Sequence, residues 1–344
     1  MEWTGRVDGD GPQHARWHQV VRQDEAAGEH VTLLGFASDE GVRRNRGRVG
    51  AAEGPAALRG ALASMSVHEG LADGTVGIFD GGDVAIEGED LESAQAEMGR
   101  RIRAALAADG NLLTVVLGGG HETAYASYLG LTSVLEPGTT WGVLNLDAHF
   151  DLRDDPRPSS GTPFRQMALA QQAAGKDFRY AVAGISRHAN TRILFERAEE
   201  LGVEFLLDVD STPERIVDFV ERFAGDLDVL YLTVDLDVLP AAVAPGVSAP
   251  AALGVAARAI VSHRMPEGTV YMYHSQDRLI DVPLTETNNR RGGIHNSMTR
   301  ILVKPSHIIG GYAQLSFAFN YLGPTGNNRD EVTMIRKRTA PVEY

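Results

Sequence analysis

The chain has 344 residues, of which 43% are hydrophobic and 23% are charged, with 38 glycines and 15 prolines. These proportions are typical of a folded globular protein with one large or two moderate domains, and they exclude the collagen, coiled-coil and disordered classes. The chain contains no cysteine, which excludes disulfides, cysteine-ligated metals and a cysteine nucleophile. A bound metal must therefore use His, Asp or Glu side chains.

The net charge of -14 argues against nucleic acid as a partner, because phosphate contacts require clustered Lys and Arg. No apolar run approaches the 18 or more residues of a membrane span, and Met1–Asp10 carries acidic residues where a signal peptide has basic ones. We therefore expect a cytoplasmic protein that does not bind membranes.

The charge changes sign along the chain. Residues 256–344 contain 11 basic and 7 acidic side chains, whereas residues 1–255 contain 21 basic and 39 acidic ones. Asparagine also becomes more frequent after residue 255. The sequence therefore predicts a change near residue 255, which is either a domain boundary or a junction between segments of different origin.

Residues 1–255 alternate short β-rich runs with amphipathic, Ala-rich stretches. The predicted strands are Val31–Gly35, Leu113–Leu117, Trp141–Leu146, Tyr180–Gly184, Val203–Leu207 and Val229–Val234. The predicted helices include Leu91–Ala108, Phe164–Ala174 and Pro213–Phe223. Strands that are apolar throughout, separated by helices, favour a parallel sheet covered on both faces. Ligands bind such folds at the carboxyl ends of the strands.

The C-terminal segment has a different pattern. Aromatic and β-branched runs at Thr269–His274, Ile301–Lys304 and Ala313–Tyr321 are separated by turns rich in Gly, Asn and Pro. Residues 256–344 are therefore predicted to be β-rich.

Three motifs follow predicted strands. Gly118–Glu122 contains a glycine triplet and His121, and by itself it indicates only a turn. Asp147, His149 and Asp151 follow the next strand, and in an extended chain their side chains share one face. Three groups of this type at the end of a buried strand favour a metal site.

Asp235 and Asp237 follow the last apolar strand and are predicted to share a face in the same way. Two adjacent buried carboxylates repel each other unless a cation lies between them. Together the motifs supply two imidazoles and four carboxylates without sulfur, which suits Mn²⁺ or a similar ion. Six ligands are too many for one closed zinc site and suit two metals.

These motifs resemble those of the ureohydrolase superfamily, which includes arginase, agmatinase and formimidoylglutamase. The resemblance covers residues 1–255 and rests on GGGHE at 118–122, NLDAHFDLR at 145–153 and TVDLDVLPAAVAPGVSAP at 233–250. It implies a three-layer α/β/α fold with a mostly parallel eight-stranded sheet. It also implies two manganese ions, the first held by His121, Asp147, Asp151 and Asp235, and the second by Asp147, His149, Asp235 and Asp237, with Asp147 and Asp235 bridging.

Within the superfamily, Ser159–Phe164 and Gly35–Arg59 most resemble formimidoylglutamase. This resemblance implies hydrolysis of N-formimidoyl-L-glutamate to L-glutamate and formamide, a step of histidine degradation, with His149 and Asp237 as catalytic residues. It also implies a homo-oligomer. The candidates for substrate binding are Arg48, Arg153, Thr162, Arg165 and Arg187, of which the arginines can bind carboxylates by paired hydrogen bonds. Arginase or agmatinase activity is the alternative within the superfamily.

The resemblance stops before the superfamily's last helix and strand, which carry a substrate-contacting Glu. Residues 257–337 instead resemble the C-terminal end of the respiratory nitrate reductase catalytic subunit, in RRGGIHNS at 290–297 and KPSHIIGGYAQLSFAFNY at 304–321. The superfamily's missing strand lies between the strands that present His121 and Asp235. Val255–Met265 and Thr269–His274 are candidates to replace the helix and the strand. The remaining alternatives are a catalytically impaired fusion protein and a fragment of a molybdenum oxidoreductase.

Overall fold

The computed structural model describes residues 3–239, apart from residues 25, 27 and 69, together with residues 244 and 247. The predicted boundary at residue 255 and the predicted β-rich segment 256–344 lie outside the described residues.

The described part of the chain contains all six predicted strands and two further ones, each parallel to its neighbours. The strands are β1 (Val21–Arg22), β2 (His30–Ala37), β3 (Gly77–Ala85), β4 (Asn111–Gly118), β5 (Trp141–Leu146), β6 (Tyr180–Ile185), β7 (Glu204–Leu207) and β8 (Val229–Val234). The strands absent from the sequence prediction are β1 and β3.

Nine α-helices are present in the same residues. They are α1 (Trp17–Val20), α2 (Glu40–Arg44), α3 (Gly54–Ala63), α4 (Gly70–Asp73), α5 (Leu91–Leu106), α6 (Thr123–Thr132), α7 (Pro163–Ala173), α8 (Arg192–Glu200) and α9 (Pro213–Ala224). Short 3₁₀ helices occur at Pro12–His14, Ala51–Glu53, Asp208–Asp210 and Leu236–Val238. None of the helices in the described part is long and apolar enough to cross a membrane.

The strands form two parallel sheets of four, ordered β1-β3-β2-β4 and β7-β6-β5-β8. This arrangement differs from the single eight-stranded sheet that the family resemblance implied. Within the described residues β4 is an edge of the first sheet and β8 an edge of the second, because no backbone pairing joins them. The prediction of one continuous sheet also involves residues outside the described part of the chain.

Helices cover both faces of the strands, which confirms the predicted α/β class with parallel sheets. On one face, α5 packs against β2, β3 and β4, while α6, α7 and α8 pack against β5 and β6. On the other face, α9 packs against β5, β6 and β7. Helix α6 contributes to a core of each sheet, because Ala126 packs in the core of the first sheet and Tyr128 packs beside Trp141 of β5 in the core of the second.

Helix α9 shows how local sequence produces this layering. Thr212 caps its first turn by accepting a hydrogen bond from the Arg215 amide (3.3 Å), and Pro213 occupies a first-turn position where no amide donor is needed. Phe219 and Phe223, one turn apart, are both buried against the sheet. The helix is therefore held by one apolar stripe, and its other face is exposed to solvent.

Candidate metal centre

The candidate site lies at the carboxyl ends of β4, β5 and β8. Parallel strands present these ends at one edge of the sheet, so residues that are distant in sequence meet there. Two groups of side chains have ligand atoms within 4.8 Å of one another. The first group is His121, Asp147, Asp151 and Asp235, and the second is Asp147, His149 and Asp237. The structure thus brings together all six side chains predicted as metal ligands.

The glycine triplet after β4 packs against the end of β2. A Cβ on Gly119 would lie 1.9 Å from the Ser38 carbonyl oxygen, so only glycine fits there. The Gly120 amide donates to the same carbonyl (2.8 Å), and the Thr123 hydroxyl donates to the Gly120 carbonyl (2.7 Å). The turn is therefore fixed from both sides, and it places His121 immediately before α6.

Glu122 ties this turn to the loop after β2, a role that the sequence analysis missed. Its buried carboxylate accepts hydrogen bonds from the Ser38 hydroxyl (2.6 Å) and the Gly41 amide (3.0 Å). Its second oxygen has no hydrogen-bond partner. Burial raises the pKa of Glu122 above its ordinary value. In the sequence, only the GGGHE pattern indicated that Glu122 belongs to the site.

The segment Asp147–Asp151 is not an extension of β5, so the prediction of alternating side chains on one face is wrong. The chain bends at Ala148 and His149, and Asp151 adopts a left-handed conformation with φ of 46°. Asp tolerates this conformation better than most residues. The His149 amide donates to Asp147 Oδ1 (2.7 Å) within the bend. The bend, rather than strand alternation, directs the three side chains toward one region.

Asp235 and Asp237 likewise do not extend β8, so the prediction that their side chains share one face of a strand is also wrong. Leu236–Val238 forms a 3₁₀ helix, and Asp235 caps it by accepting a hydrogen bond from the Asp237 amide (3.0 Å). Asp237 Oδ1 accepts a hydrogen bond from the Ala148 amide (3.1 Å). This last contact joins the turn after β8 to the bend after β5, so the two motifs hold each other in place.

In the first group, three carboxylates converge on one imidazole nitrogen. His121 Nδ1 lies 2.9 Å from an Asp151 oxygen, 3.1 Å from Asp147 and 3.2 Å from Asp235. One nitrogen carries at most one hydrogen and cannot donate to three acceptors. His121 Nε2 lies 3.2 Å from Thr233 Oγ1 and can donate to it, which leaves the Nδ1 lone pair free to bind a metal. The arrangement fits a cation among these atoms.

In the second group, His149 Nδ1 lies 2.7 Å from Asp237 Oδ2 and 3.5 Å from Asp147 Oδ1. Asp147 belongs to both groups, as expected for a bridging ligand. Asp235, which the resemblance also implied to bridge, belongs only to the first group. Its other oxygen accepts the Asp237 amide, so the capping hydrogen bond competes with a second bridging role.

The cluster carries more buried negative charge than its imidazoles can balance. Burial lowers the pKa of His149, but hydrogen bonds to Asp147 and Asp237 outweigh it and raise the pKa to about 11. Burial and the charge of Asp147 raise the pKa of Asp237 to about 8, and burial raises that of Asp235 to about 6. The metal-free cluster therefore retains protons that divalent cations would displace.

Two asparagines orient the ligand-bearing bend. The Asn145 amide donates to Asp147 Oδ2 (2.8 Å). The Asn190 side chain donates to the carbonyl oxygens of Ala148 (2.8 Å) and Ser186 (2.9 Å) and accepts the Phe150 amide (3.1 Å). Asn190 could not be recognised from the sequence, because its role depends entirely on tertiary contacts.

The residues predicted to bind substrate are more dispersed. Arg48, Arg153 and Arg187 are exposed. An Arg48 nitrogen donates to the Val247 carbonyl (3.0 Å), and the Arg187 guanidinium lies 5.6 Å from the Phe195 ring centre. Arg165 is half-buried, and its Nε has no hydrogen-bond partner.

Thr162 and Arg153 both belong to the loop between β5 and α7. Thr162 is 3% exposed, and its hydroxyl is hydrogen-bonded to Ser159 and Gln166 within its own loop and helix. Arg153 passes close to Gly161, where an added Cβ would lie 2.7 Å from Arg153 Cδ. Arg153 is thus better placed than Thr162 to contact a ligand from solvent.

The parallel α/β/α architecture and the clustered carboxylates define the class of protein. The chain belongs to the arginase family, whose sequence model matches residues 29–264. The match extends past the compositional change near residue 255. Among curated proteins, the chain is 52% identical over 265 residues to formimidoylglutamase of Rhodococcus jostii, covering 75% of this chain and 81% of the relative. It is 42% identical over 317 residues to formimidoylglutamase of Aeromonas hydrophila, covering 88% and 96%.

Solved structures show the same fold. The crystal structure of Trypanosoma cruzi formiminoglutamase with Mn²⁺ matches with a TM-score of 0.56 and 28% identity, covering 66% of this chain and 76% of that one. Formimidoylglutamase from Bacillus subtilis matches with a TM-score of 0.59 at 20% identity, covering 72% and 76%. At that identity the second match supports the fold alone.

Proposed function

We propose that this protein hydrolyses N-formimidoyl-L-glutamate to L-glutamate and formamide with two bound manganese ions. The observation that carries the proposal is the convergence of six buried or half-buried ligands into two groups that share Asp147. The names of the relatives at 42–52% identity support the substrate. The role is a step in histidine degradation.

The donor set fits manganese. Imidazole nitrogens and carboxylate oxygens, without sulfur, suit a hard or borderline divalent ion, and a shared carboxylate suits two ions close together. The three carboxylates around His121 supply negative charge that its single proton cannot balance. Bound manganese would lower the pKa of a water molecule and polarise the formimidoyl group.

His149 and Asp237 are proposed to handle the proton. Their side chains form a 2.7 Å pair and are 20% and 11% exposed, whereas the Asp147 side chain is fully buried. The pair therefore borders the opening of the site, where substrate can reach it. In the reaction, water oxygen bonds to the formimidoyl carbon and the bond from that carbon to the glutamate nitrogen breaks. Asp237 and His149 transfer the water proton to the leaving nitrogen.

Exposed cationic and polar groups near the bend are proposed to bind the substrate's two carboxylates. Arg153 lies beside Gly161, and the Asn45 side chain donates to Ser160 Oγ (3.1 Å), so two loops meet there. Arg48 and Arg187 are the further candidates, since guanidinium groups bind carboxylates by paired hydrogen bonds. Thr162 would act by holding the loop rather than by touching the substrate.

Several predictions on the whole protein remain proposals. These are the domain division 1–255 and 256–344, the nitrate-reductase-like origin of residues 257–337, assembly as a homo-oligomer and a cytoplasmic location. The proposed partner is a small-molecule substrate, and neither nucleic acid nor a membrane is proposed as a partner. Residues 256–344 lie outside the described part of the chain. A measurement of turnover therefore distinguishes an active enzyme from the catalytically impaired alternative.

The test is a formamide-release assay on the full-length protein purified with Mn²⁺, with bound metal counted on the same sample. We expect about two metals per chain and steady turnover. Two metals without turnover would support an impaired fusion protein. Urea release from arginine or agmatine in place of formamide would identify an arginase or agmatinase activity. Bound molybdopterin would indicate an oxidoreductase fragment.

The substrate-binding proposal is tested with Arg153→Gln. Loss of a charge-assisted hydrogen bond should raise KM by about 10-fold or more while the metal content stays at the wild-type level. Arg192→Gln is the matched control, because Arg192 is an exposed arginine that pairs only along its own helix with Glu196. An equal KM for the two variants would remove Arg153 from the binding site.

A further inference from the structure

Helix α2 lies between the turn that carries His121 and the loop of residues 153–162, which precedes α7. The start of α2 packs on Glu122, whose carboxylate accepts a hydrogen bond from the Gly41 amide (3.0 Å). A Cβ on Gly41 would lie 2.5 Å from Glu122 Cδ, so only glycine fits at this contact. One end of α2 is therefore fixed to the turn that presents the first predicted metal ligand.

The other end of α2 carries Arg44, whose side chain is only 6% exposed. Its guanidinium group donates five hydrogen bonds. The acceptors are Glu40 Oε1 (2.8 Å), the two Glu92 oxygens (2.8 and 3.0 Å) and the carbonyl oxygens of Glu89 (2.7 Å) and Pro158 (3.0 Å). An arginine side chain has five N–H groups. Arg44 therefore has no donor left for a ligand and acts only on other parts of the protein.

The acceptors around Arg44 belong to segments that follow three different strands. Glu40 lies in α2, after β2, and Glu89 and Glu92 lie between β3 and the first turn of α5. Pro158 lies in the loop after β5. Strands β2 and β3 belong to the first sheet and β5 to the second. A single side chain thus links two loops of the first sheet to the loop 153–162 of the second.

The charges of this cluster keep the guanidinium group in one orientation. The hydrogen bonds from Arg44 lower the pKa of the Glu92 carboxyl, and those from Arg43 and Arg44 lower the pKa of Glu40. Both carboxylates are therefore ionised at neutral pH. Charge-assisted hydrogen bonds that pair a guanidinium group with both oxygens of a carboxylate are strong and directional. The N–H groups that face the Glu89 and Pro158 carbonyls are directed by this pairing.

The end of α2 holds the tip of the loop 153–162 at two adjacent positions. Arg44 donates to the Pro158 carbonyl, and the side chain of the next residue, Asn45, donates to Ser160 Oγ (3.1 Å). Both contacts come from α2 and its C-cap, which are themselves fixed to the turn of His121. The position of the loop tip is therefore set relative to the metal groups.

The same loop carries Arg153, two residues after the predicted metal ligand Asp151. The Arg153 amide donates to the Gly161 carbonyl (2.9 Å), which closes the loop at its base. A Cβ on Gly161 would lie 2.7 Å from Arg153 Cδ and 3.3 Å from Asn45 Nδ2, so the Arg153 side chain and Asn45 pack on the same glycine. A displaced loop tip would therefore displace the support of the Arg153 side chain.

We propose that Arg44 is a positioning residue, which holds the loop 153–162 so that Arg153 faces a carboxylate of the substrate beside the metal groups. The role toward substrate rests on the proposed function, whereas the anchoring of the loop does not. The five hydrogen bonds of Arg44 go to none of the six predicted metal ligands. Its substitution should therefore weaken substrate binding, with little effect on metal binding or on bond breaking.

Steady-state kinetics of the full-length protein with Mn²⁺ test the role toward substrate. Arg44→Gln should raise KM by about 10-fold, with kcat within about 3-fold of the wild type and the metal content unchanged. Arg43→Gln is the matched control, because this neighbouring arginine pairs with Glu40 and Glu89 and is half exposed. An unchanged KM in Arg44→Gln, or a loss of bound metal, would overturn the proposal.

A double-mutant cycle tests whether Arg44 acts through Arg153. If it does, adding Arg44→Gln to Arg153→Gln should raise KM by no more than about 2-fold further. Independent effects would multiply to about 100-fold, and that result would reject the route through Arg153. If urea unfolding shows that Arg44→Gln does not fold, Arg44→Lys replaces it. Lysine keeps the charge that faces Glu92, but its single nitrogen cannot replace a five-donor fork.

A spin label measures the anchoring of the loop without substrate. The chain has no cysteine, so Arg157→Cys provides one attachment site at an exposed position of the loop tip. Arg44→Gln should shift the nitroxide spectrum to a shorter correlation time, and Arg43→Gln should leave it unchanged. An unchanged spectrum in Arg44→Gln would overturn the anchoring. A mobile label in Arg44→Gln, in a protein whose wild type releases no formamide, would uphold the anchoring and reject the proposed function alone.

Discussion

Two of the buried clusters of charged side chains in the described residues differ in how their charge is balanced. Under the first sheet, the guanidinium group of Arg59 on α3 donates to both oxygens of Asp80 (2.9 and 2.8 Å) and to Asp83 (2.5 Å). The Trp3 indole also donates to Asp80 (2.8 Å). Arg59 is only 2% exposed, and its partners, buried Asp80 and exposed Asp83, are supplied by the chain itself.

At the carboxyl edge, four carboxylates gather around two imidazoles. Around His121, one ring hydrogen cannot be donated to the three facing carboxylates at once. A buried charge that is paired within its own chain is compensated, whereas an unpaired one is costly unless a bound ion balances it. The unbalanced charge of the second cluster therefore favours a binding site there, without reference to any relative.

The largest expected effect comes from Asp147→Asn, which removes the carboxylate common to both metal groups. We expect loss of bound metal and a fall in turnover of about 10³-fold or more, since both proposed ions lose a ligand. Metal counting and the formamide assay provide the measurement. Asp226→Asn is the control, because Asp226 forms an exposed pair with Arg179. Retention of two metals by the Asp147 variant would contradict the bridging role.

The same substitution in the balanced cluster should give the opposite pattern. Asp80→Asn leaves Arg59 buried without its main partner, which costs about 3 kcal/mol of unfolding free energy. Bound metal in the folded protein should be unchanged, because this cluster lies on the other side of the first sheet from α5 and apart from the carboxyl edge. Urea unfolding and metal counting together measure both effects. Reduced metal content in the folded variant would show that the two clusters are coupled.

A smaller effect is expected from Thr233→Val, which removes the hydroxyl that faces His121 Nε2. Without this acceptor the imidazole is less firmly oriented, and metal affinity should fall by about 10- to 100-fold. Thr233→Ser restores the hydroxyl and should restore the affinity. A competition titration with a chelator measures the change. Equal affinities for the Val and Ser variants would exclude this orienting contact.

The smallest effect concerns pH. In the metal-free protein the pKa values of Asp237 and His149 are raised to about 8 and about 11, so the folded state binds protons that the unfolded state releases. The stabilisation that the Asp237 proton supplies is then lost progressively as the pH rises to about 8. The stabilisation that the His149 proton supplies is lost from about pH 6.5 upward. We expect the free energy of unfolding to fall between pH 6 and pH 9 in a chelator.

Saturating Mn²⁺ should reverse this trend, because metal binding requires deprotonated ligands and strengthens as pH rises. Urea midpoints measured at several pH values, with and without metal, test both statements. A metal-free protein whose midpoint rises with pH over this range would show that the cluster does not retain the protons.

The sequence predicted the second half of the fold better than the first. Strands such as Trp141–Leu146 and Val229–Val234 were predicted with their observed ends, because they are mostly apolar runs. Strand β3 was missed, since its sequence GIFDGGDVA reads as a turn. Opposite Leu34 the strand bulges at Gly81 and Gly82, so its register shifts between Asp80 and Asp83, the partners of buried Arg59.

The sequence by itself determined the parallel α/β class and the six side chains that meet at the carboxyl edge. Both follow from local pattern, because apolar runs form buried strands and the polar residues after them collect at one edge. Only the tertiary structure decided how these side chains converge. The bend at Ala148, the left-handed Asp151 and the contact between Asp237 and the Ala148 amide depend on packing between segments that are distant along the chain. The division of the described strands into two sheets, with β4 and β8 at their edges, is likewise visible only in three dimensions, because edges are properties of the assembled sheet.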